Sequence, residues 1–241
     1  MKWKVYLLGK RLQVREEELV EEAPLLLNIN GILQKELLRT PLSLHEDKAL
    51  IIGFCFTEGI IESKDEIIYL HVSKENIEIE AKKDKKKKKL INPVHYKDQS
   101  ITAKDLLTCM NIMESQQQLR LKTRASHAAM LFSYDLASMY ISEDVGRHNA
   151  LDKVIGKALI DDNLKNIFVV TLSSRISFEM VKKAAKAGIK VLMGISRPTS
   201  MAVLLAKKIG MTIVTLGRDS ELMVFSGKER IKECQEGKYL N

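Results

Sequence analysis

The chain has 241 residues and a net charge of +8, with 45% apolar and 29% charged residues, the balance of a soluble globular protein large enough for one or two domains. No apolar run reaches membrane-spanning length, and the stretch after Lys2 and Lys4 is too short for a signal-peptide core, so a cytoplasmic location without membrane association is expected. Three cysteines, Cys55, Cys109 and Cys234, lie far apart and do not resemble a secreted disulfide framework.

In chain order, Pro24 to Ile29 and Ile32 to Leu38 read as strands joined at Asn30-Gly31, a strong hairpin signal. Ser43 is placed to cap a helix running to Phe56, in which Cys55 sits among apolar neighbours as a buried, inert thiol. Further strands are expected at Glu66 to Leu70 and Asn76 to Glu80. Residues 82 to 89 hold seven lysines and one aspartate, leaving only +2 for the rest of the chain. Such a block is a self-repelling loop, and without interleaved aromatic residues it does not predict a nucleic-acid partner. Residues 1–100 therefore read as a β-rich N-terminal domain with one helix.

Thr102 is placed to cap a second helix with an apolar stripe of Leu106, Met110 and Met113, leaving Cys109 beside the stripe and half-buried. Ala129 to Tyr134 and Met139 to Ile141 read as a hairpin. Strands at Ile167 to Leu172, Lys190 to Ile195 and Met211 to Leu216 then alternate with helices at 148–160, from Ser177 to Gly188, and from Thr199 to Gly210. Leu222 to Phe225 reads as an edge strand. Strands of this kind imply a mainly parallel sheet covered on both faces, in a domain of residues 101–241.

Four loops after predicted strands each carry an arginine: Arg147, Arg175, Arg197 and Arg218. Loops at the carboxyl ends of parallel strands emerge on one side, and guanidinium forks match phosphate oxygens, so a site for a large anion is expected there. The plainer alternative at the first loop is a helix capped by Asp144 with a solvated Arg147-His148 pair.

The stretch Glu143-Asp144-Val145-Gly146-Arg147-His148-Asn149-Ala150, continuing through Asp152-Lys153 to Gly156, resembles the signature of the FdhD family, the formate dehydrogenase accessory sulfurtransferases. Glu22-Ala23-Pro24-Leu25, Thr40-Pro41, Gly53-Phe54 and Thr57-Glu58-Gly59 resemble the family upstream. Ser174-Arg175, Ser177, Glu179-Met180, Lys183-Ala184-Ala185 and Pro198-Thr199 resemble it downstream. The resemblance implies a three-layer αβα C-terminal domain like that of cytidine deaminases, beside a smaller N-terminal domain. It also implies binding of the molybdenum bis(molybdopterin guanine dinucleotide) cofactor, which a guanine nucleotide would mimic. The matching positions are Gly146, Arg147, His148, Asn149, Ser174, Arg175 and Ser177, with Leu222, Met223, Val224, Phe225, Ser226 and Gly227 as the late segment. Formate dehydrogenase is the implied client and a cysteine desulfurase the implied sulfur donor. A homodimer is the expected assembly.

Several departures from the family matter. Arg124-Ala125-Ser126 stands where members have a glycine pair before His127-Ala128-Ala129, and Ser173 stands where glycine is usual. The family's Cys-x-x-Cys, which takes up sulfur as a persulfide, is absent; its region holds the lysine block and Asn92-Pro93-Val94-His95. No catalytic residue is therefore assigned, and two readings stay open: an accessory sulfurtransferase, or a cofactor carrier without sulfur relay. A degenerate paralogue with another ligand is a third. A zinc deaminase is excluded, since His127 lacks the following His-x-Glu pattern and Pro198 the Pro-Cys-x-x-Cys pattern, and no metal is expected.

Overall fold

The computed structural model describes residues 2–9, 11–82, 99–218 and 221–235. The lysine block beyond Lys82, expected as a self-repelling loop, and the Asn92 to His95 stretch lie outside the described residues.

Strands β1 (Lys2–Leu8) and β2 (Leu12–Glu18) form a separate antiparallel ribbon that was not expected. Strands β3 (Ala23–Ile29) and β4 (Ile32–Arg39) form the expected hairpin; Asn30 and Gly31 have φ of 51° and 75°, the left-handed pair of a two-residue type I′ turn. Helix α1 (Leu44–Thr57) starts at Ser43, whose hydroxyl accepts the Glu46 amide at 3.2 Å. Strands β5 (Ile67–Val72) and β6 (Asn76–Ala81) complete a four-stranded sheet of order β4-β3-β6-β5.

Helix α2 (Ala103–Ser115) opens with a reciprocal capping box of Thr102 and Asp105, and a short helix α3 (Gln118–Thr123) follows. Next come β7 (His127–Ser133), β8 (Ser138–Asp144), α4 (Arg147–Ile160), β9 (Ile167–Arg175), α5 (Phe178–Lys186) and β10 (Val191–Ser196). The chain continues with α6 (Ser200–Ile209), β11 (Thr212–Leu216), β12 (Leu222–Ser226) and α7 (Lys232–Gln235). The second sheet has the order β12-β11-β10-β9-β7-β8. The expectation of a mainly parallel sheet is corrected here. β9, β10 and β11 are parallel, but β7 is antiparallel to both β8 and β9, and β12 is antiparallel to β11. The connections after β7 and β11 are too short for a crossover, which forces reversal of direction. Helices α4, α5 and α6 cover one face and α2 the other, giving three layers.

Beyond its polar first turn, helix α1 is buried on every side from Ala49 to Thr57, between the four-stranded sheet and helices α4 and α5. One apolar core runs from Leu25 and Ile77 through α1 and α4 to Val170 and Ile213, and a second lies between α2 and the other face of the six-stranded sheet. At the α1–α4 crossing, glycine faces glycine. A Cβ on Gly53 would stand 1.9 Å from the Asp152 carbonyl oxygen, and one on Gly156 1.9 Å from that of Ala49. Among the described residues, no helix is long and apolar enough to cross a membrane.

Ion pairs frame this crossing. Arg39, 1% exposed, forms a two-point pair with Asp47 at 2.8 and 3.0 Å. Lys157 meets Glu46, and Lys183 meets Asp152 and Glu58, both at 2.9 Å. The Thr57 hydroxyl donates to Asp152 at 2.8 Å and accepts from Lys183 at 2.9 Å. Burial raises the Asp152 carboxyl to about 6 against the pull of Lys183. Burial works to lower the Lys183 ammonium, but its two carboxylates prevail and raise it, so it stays charged.

Because backbone meets backbone, neither helix can retreat without opening the core. Gly156→Ala is expected to destabilise the chain by at least about 3 kcal/mol, lowering the melting temperature by roughly 6–12 °C in a thermal scan. An unchanged melting temperature would show that the crossing can widen at little cost.

Candidate functional site

The carboxyl ends of β8, β9, β10 and β11 all lie on one side of the six-stranded sheet, because β8 runs antiparallel to β7 and hence alongside β9. Arg147, Arg175, Arg197 and Arg218 therefore share one end of the sheet, across four strand spacings or about 19 Å. None of the four makes a salt bridge among the described residues. Arg175, Arg197 and Arg218 are exposed and Arg147 is half-buried. β7 begins at this same end, so it delivers His127 between the turns that follow β8 and β9. His127 was not among the expected site residues; that a strand inserted in reverse would bring it there is not visible in the sequence.

Among the described residues, His127 Nδ1, Arg147 Nε, Ser177 Oγ and, near the end of β11, Thr215 Oγ1 are buried polar atoms without a hydrogen-bond partner at this end. Buried polar groups are normally paired, so an unpaired set on one rim makes this end the candidate site. Burial lowers the His127 pKa, and the nearby Arg147 and Arg120 lower it further, with Asp144 opposing. Burial also lowers the pKa of His148, followed by Arg147 and Lys183, with Glu179 opposing. Both imidazoles are thus held neutral beside arginines, an arrangement that a polyanion would relieve.

The other expected residues divide by place. Ser174 is buried at the end of β9 and donates to the Arg175 carbonyl at 3.1 Å. Gly146 is the N-cap of α4, and its amide reaches Asp144 Oδ1 at 2.8 Å, so Asp144 serves the cap through Gly146 rather than as the N-cap itself. Asn149 donates to Asp144 Oδ1 at 2.9 Å and to the Leu38 carbonyl at 2.8 Å, which ties the turn to the segment after β4. Asp144 also takes the Thr40 amide at 3.2 Å and Lys153 Nζ at 2.7 Å, both carboxylate and ammonium being fully buried. Leu222 and Met223 stand at the arginine end, opposite Leu216 and Thr215. Val224 and Phe225 lead away from it, and Ser226 and Gly227 reach the opposite end, where Ser226 Oγ bonds the Met211 carbonyl and Gly227 packs on Thr212.

Glu143 is fully occupied: its carboxylate takes the Leu119 and Arg120 amides at 2.7 and 2.8 Å and the Ser126 hydroxyl at 2.9 Å, fixing the start of α3. The two noted departures have physical roles. Ser173 Oγ accepts the Ala128 amide at 2.7 Å, joining β7 to β9, and Arg124 ends α3 in the left-handed region at φ 55°, where glycine would be unstrained. A groove of about 710 Å³ near Leu26, Pro41 and Leu44 lies on the four-stranded sheet, and its buried cation, Arg39, is already engaged by Asp47.

The expected half-burial of Cys109 is corrected: it is 2% exposed, inside the core between α2 and the sheet, because its neighbours Met110 and Met113 draw that whole side of α2 inward. Burial pushes both Cys55 and Cys109 up to about 12. Cys234 is exposed on α7, beside the Ile101–Ile231 bridge and away from the arginine end. Ellman's reagent is therefore expected to titrate one thiol in the native chain and three in denaturant, with the native one lost in Cys234→Ser. A second fast-reacting native thiol would show that Cys109 is reachable.

The profile of the FdhD/NarQ family matches residues 20–96 and 85–232. A protein of Sulfurisphaera tokodaii named sulfur carrier protein FdhD is 31% identical over 216 residues, covering 81% of this chain and 83% of its own. One of the same name from Brucella abortus is 32% identical over 243 residues, covering 88% of this chain and 89% of its own. A solved structure from Desulfotalea psychrophila, described provisionally as a formate dehydrogenase accessory protein, superposes with a TM-score of 0.83 at 27% identity, covering 96% of this chain and 98% of that one.

Proposed function

The chain belongs to the FdhD/NarQ family, and we propose that it is a formate dehydrogenase accessory protein that binds the molybdenum bis(molybdopterin guanine dinucleotide) cofactor at the arginine end of its six-stranded sheet. The observation that carries this reading is the set of unpaired buried atoms on His127, Arg147 and Ser177 beside the other loop arginines. That donor set suits the phosphate oxygens of a dinucleotide. When bound, the cofactor supplies the pyrophosphates this rim recognises and the molybdenum centre that would receive sulfur. Arg147 and Arg175 hold oxygens as charged forks, Ser177 donates its hydroxyl, and His127 and His148 take up protons as negative charge arrives. Formate dehydrogenase is the client in this reading, a cysteine desulfurase a further partner, and the assembly a homodimer.

For sulfur, the reading is a carrier of cofactor rather than a two-cysteine relay. A relay needs a reachable thiolate, and Cys55 and Cys109 are buried with raised pKa. A second reading keeps sulfur carriage on Cys234, favoured by its exposure alone. Incubation with a cysteine desulfurase and cysteine, followed by peptide mapping, separates the two: the carrier reading expects no adduct that is required to activate formate dehydrogenase. An adduct on Cys234, with activation lost in Cys234→Ser, would replace it with the second.

Calorimetry with guanosine diphosphate tests the site. Arg147→Ala is expected to weaken binding by more than about 1.5 kcal/mol, roughly tenfold or more, as for a charge-assisted hydrogen bond. Unchanged affinity would remove Arg147 from the site.

Binding is also expected to tighten as pH falls from 8 towards 6. The free imidazoles have depressed pKa values and are neutral near pH 7; bound phosphate raises those values, so the complex takes up protons in that window. Each unit of upward shift contributes about 1.4 kcal/mol below the free value. Because phosphate itself titrates, the measured quantity is the difference in pH slope between the unmodified chain and His127→Gln. Equal slopes would mean that His127 does not sense the ligand.

A further inference from the structure

The ribbon of β1 and β2 has two different faces. Val5 and Leu7 lie on one of them and are half-buried, as is Glu17. The other face presents Tyr6, Leu8, Leu12 and Val14, which are 66%, 89%, 65% and 56% exposed. A two-stranded ribbon is marginal on its own, and a contiguous apolar face of this kind marks an interaction surface.

The register of the ribbon says what fits there. Tyr6 is paired with Val14 and Leu8 with Leu12, while Lys4 is paired with Glu16 and Lys2 with Glu18. Along β1 the exposed face thus reads Lys, Lys, Tyr, Leu; the matching positions of β2 read Glu, Glu, Val, Leu. We propose that this face is the interface with a second copy of the chain, stacked about a two-fold axis parallel to the strands. This deepens the homodimer of the preceding reading and rests on it. Such an axis lays β1 of each copy over β2 of the other at the same height. Tyr6 then faces Val14, Leu8 faces Leu12, and both lysines face glutamates, twice over by symmetry. An in-plane axis perpendicular to the strands would instead set the charged half of one ribbon on the apolar half of the other. Covering the four apolar side chains on both copies removes on the order of 1,000 Å² from water, the threshold for a specific interface. The charges at the ribbon's base add register and exclude the reversed stacking.

Sedimentation velocity of the full chain over a concentration series tests the inference. The unmodified chain is expected to dimerise, and Leu8→Asp, at a site 89% exposed and so without a part in the core, to weaken association at least tenfold. Lys4→Glu and Glu16→Lys are each expected to weaken it several-fold by setting like charges opposite one another. An equimolar mixture of those two variants is expected to dimerise again, since both intermolecular contacts regain opposite signs while each ribbon keeps its own altered pair. A dimer indifferent to Leu8→Asp would place the contact elsewhere, overturning the ribbon interface but not the homodimer. A monomer at all concentrations would overturn both. Failure of the mixture to associate would overturn the proposed axis.

Discussion

Helices α1 and α4 touch backbone to backbone at Gly53 and Gly156, and the rest of the molecule is arranged around that contact. A side chain at either position would hold the four-stranded sheet away from the αβα layers and open the continuous core between them. Close approach brings a difficulty of its own, because polar groups near the crossing lose water. They are answered by pairing: Lys183 with Asp152 and Glu58, Lys153 with Asp144, Arg39 with Asp47. Removing one member of such a pair leaves a buried charge and costs more than the pair itself contributes, so these residues act as a set. Much of the signature from Glu143 to Gly156 thus joins two halves of the chain, and Arg147 and His148 are the part of it that faces outward.

The arginine end owes its chemistry to what the joining leaves unsatisfied. Asp144 and Asn149 fasten the turn, so the neighbouring Arg147 is positioned without being neutralised. His127 arrives on a strand running against its neighbours and lies in the field of Arg147 and Arg120. The rim is therefore an electrostatically unfavourable place held together by scaffolding beneath it.

Local chemistry was legible in the sequence, and pairing was not. Asn30-Gly31 announced a hairpin, Ser43, Thr102 and Thr199 announced helix starts, and Gly188 and Gly210 announced ends, because each acts within a few residues. The β7–β8 hairpin was legible, but the place of β7 between β8 and β9 was not, since nothing local marks which strand its second edge will meet, and His127 was missed with it. The β1–β2 ribbon was missed because neither of its faces is fully buried, so apolar and polar residues do not alternate cleanly along it. Asn149 and Ser226 carry side chains suited to a ligand, but partners far away in sequence, Leu38 and residues of β11, claim them. Cys109 was judged by its helix alone, while the sheet that encloses it comes from later strands.

The span of these contacts has a consequence for synthesis. Thr40 and Asp144, which bond in the finished turn, are 104 residues apart, and α1 waits equally long for α4. As the chain leaves the ribosome, the apolar stretch of α1 from Ala49 to Phe56 emerges with no surface yet made to receive it. Non-local contacts of this order fold slowly, and exposed apolar segments aggregate in the interval. Truncations that end before α4 should therefore accumulate as insoluble protein rather than as a free N-terminal domain.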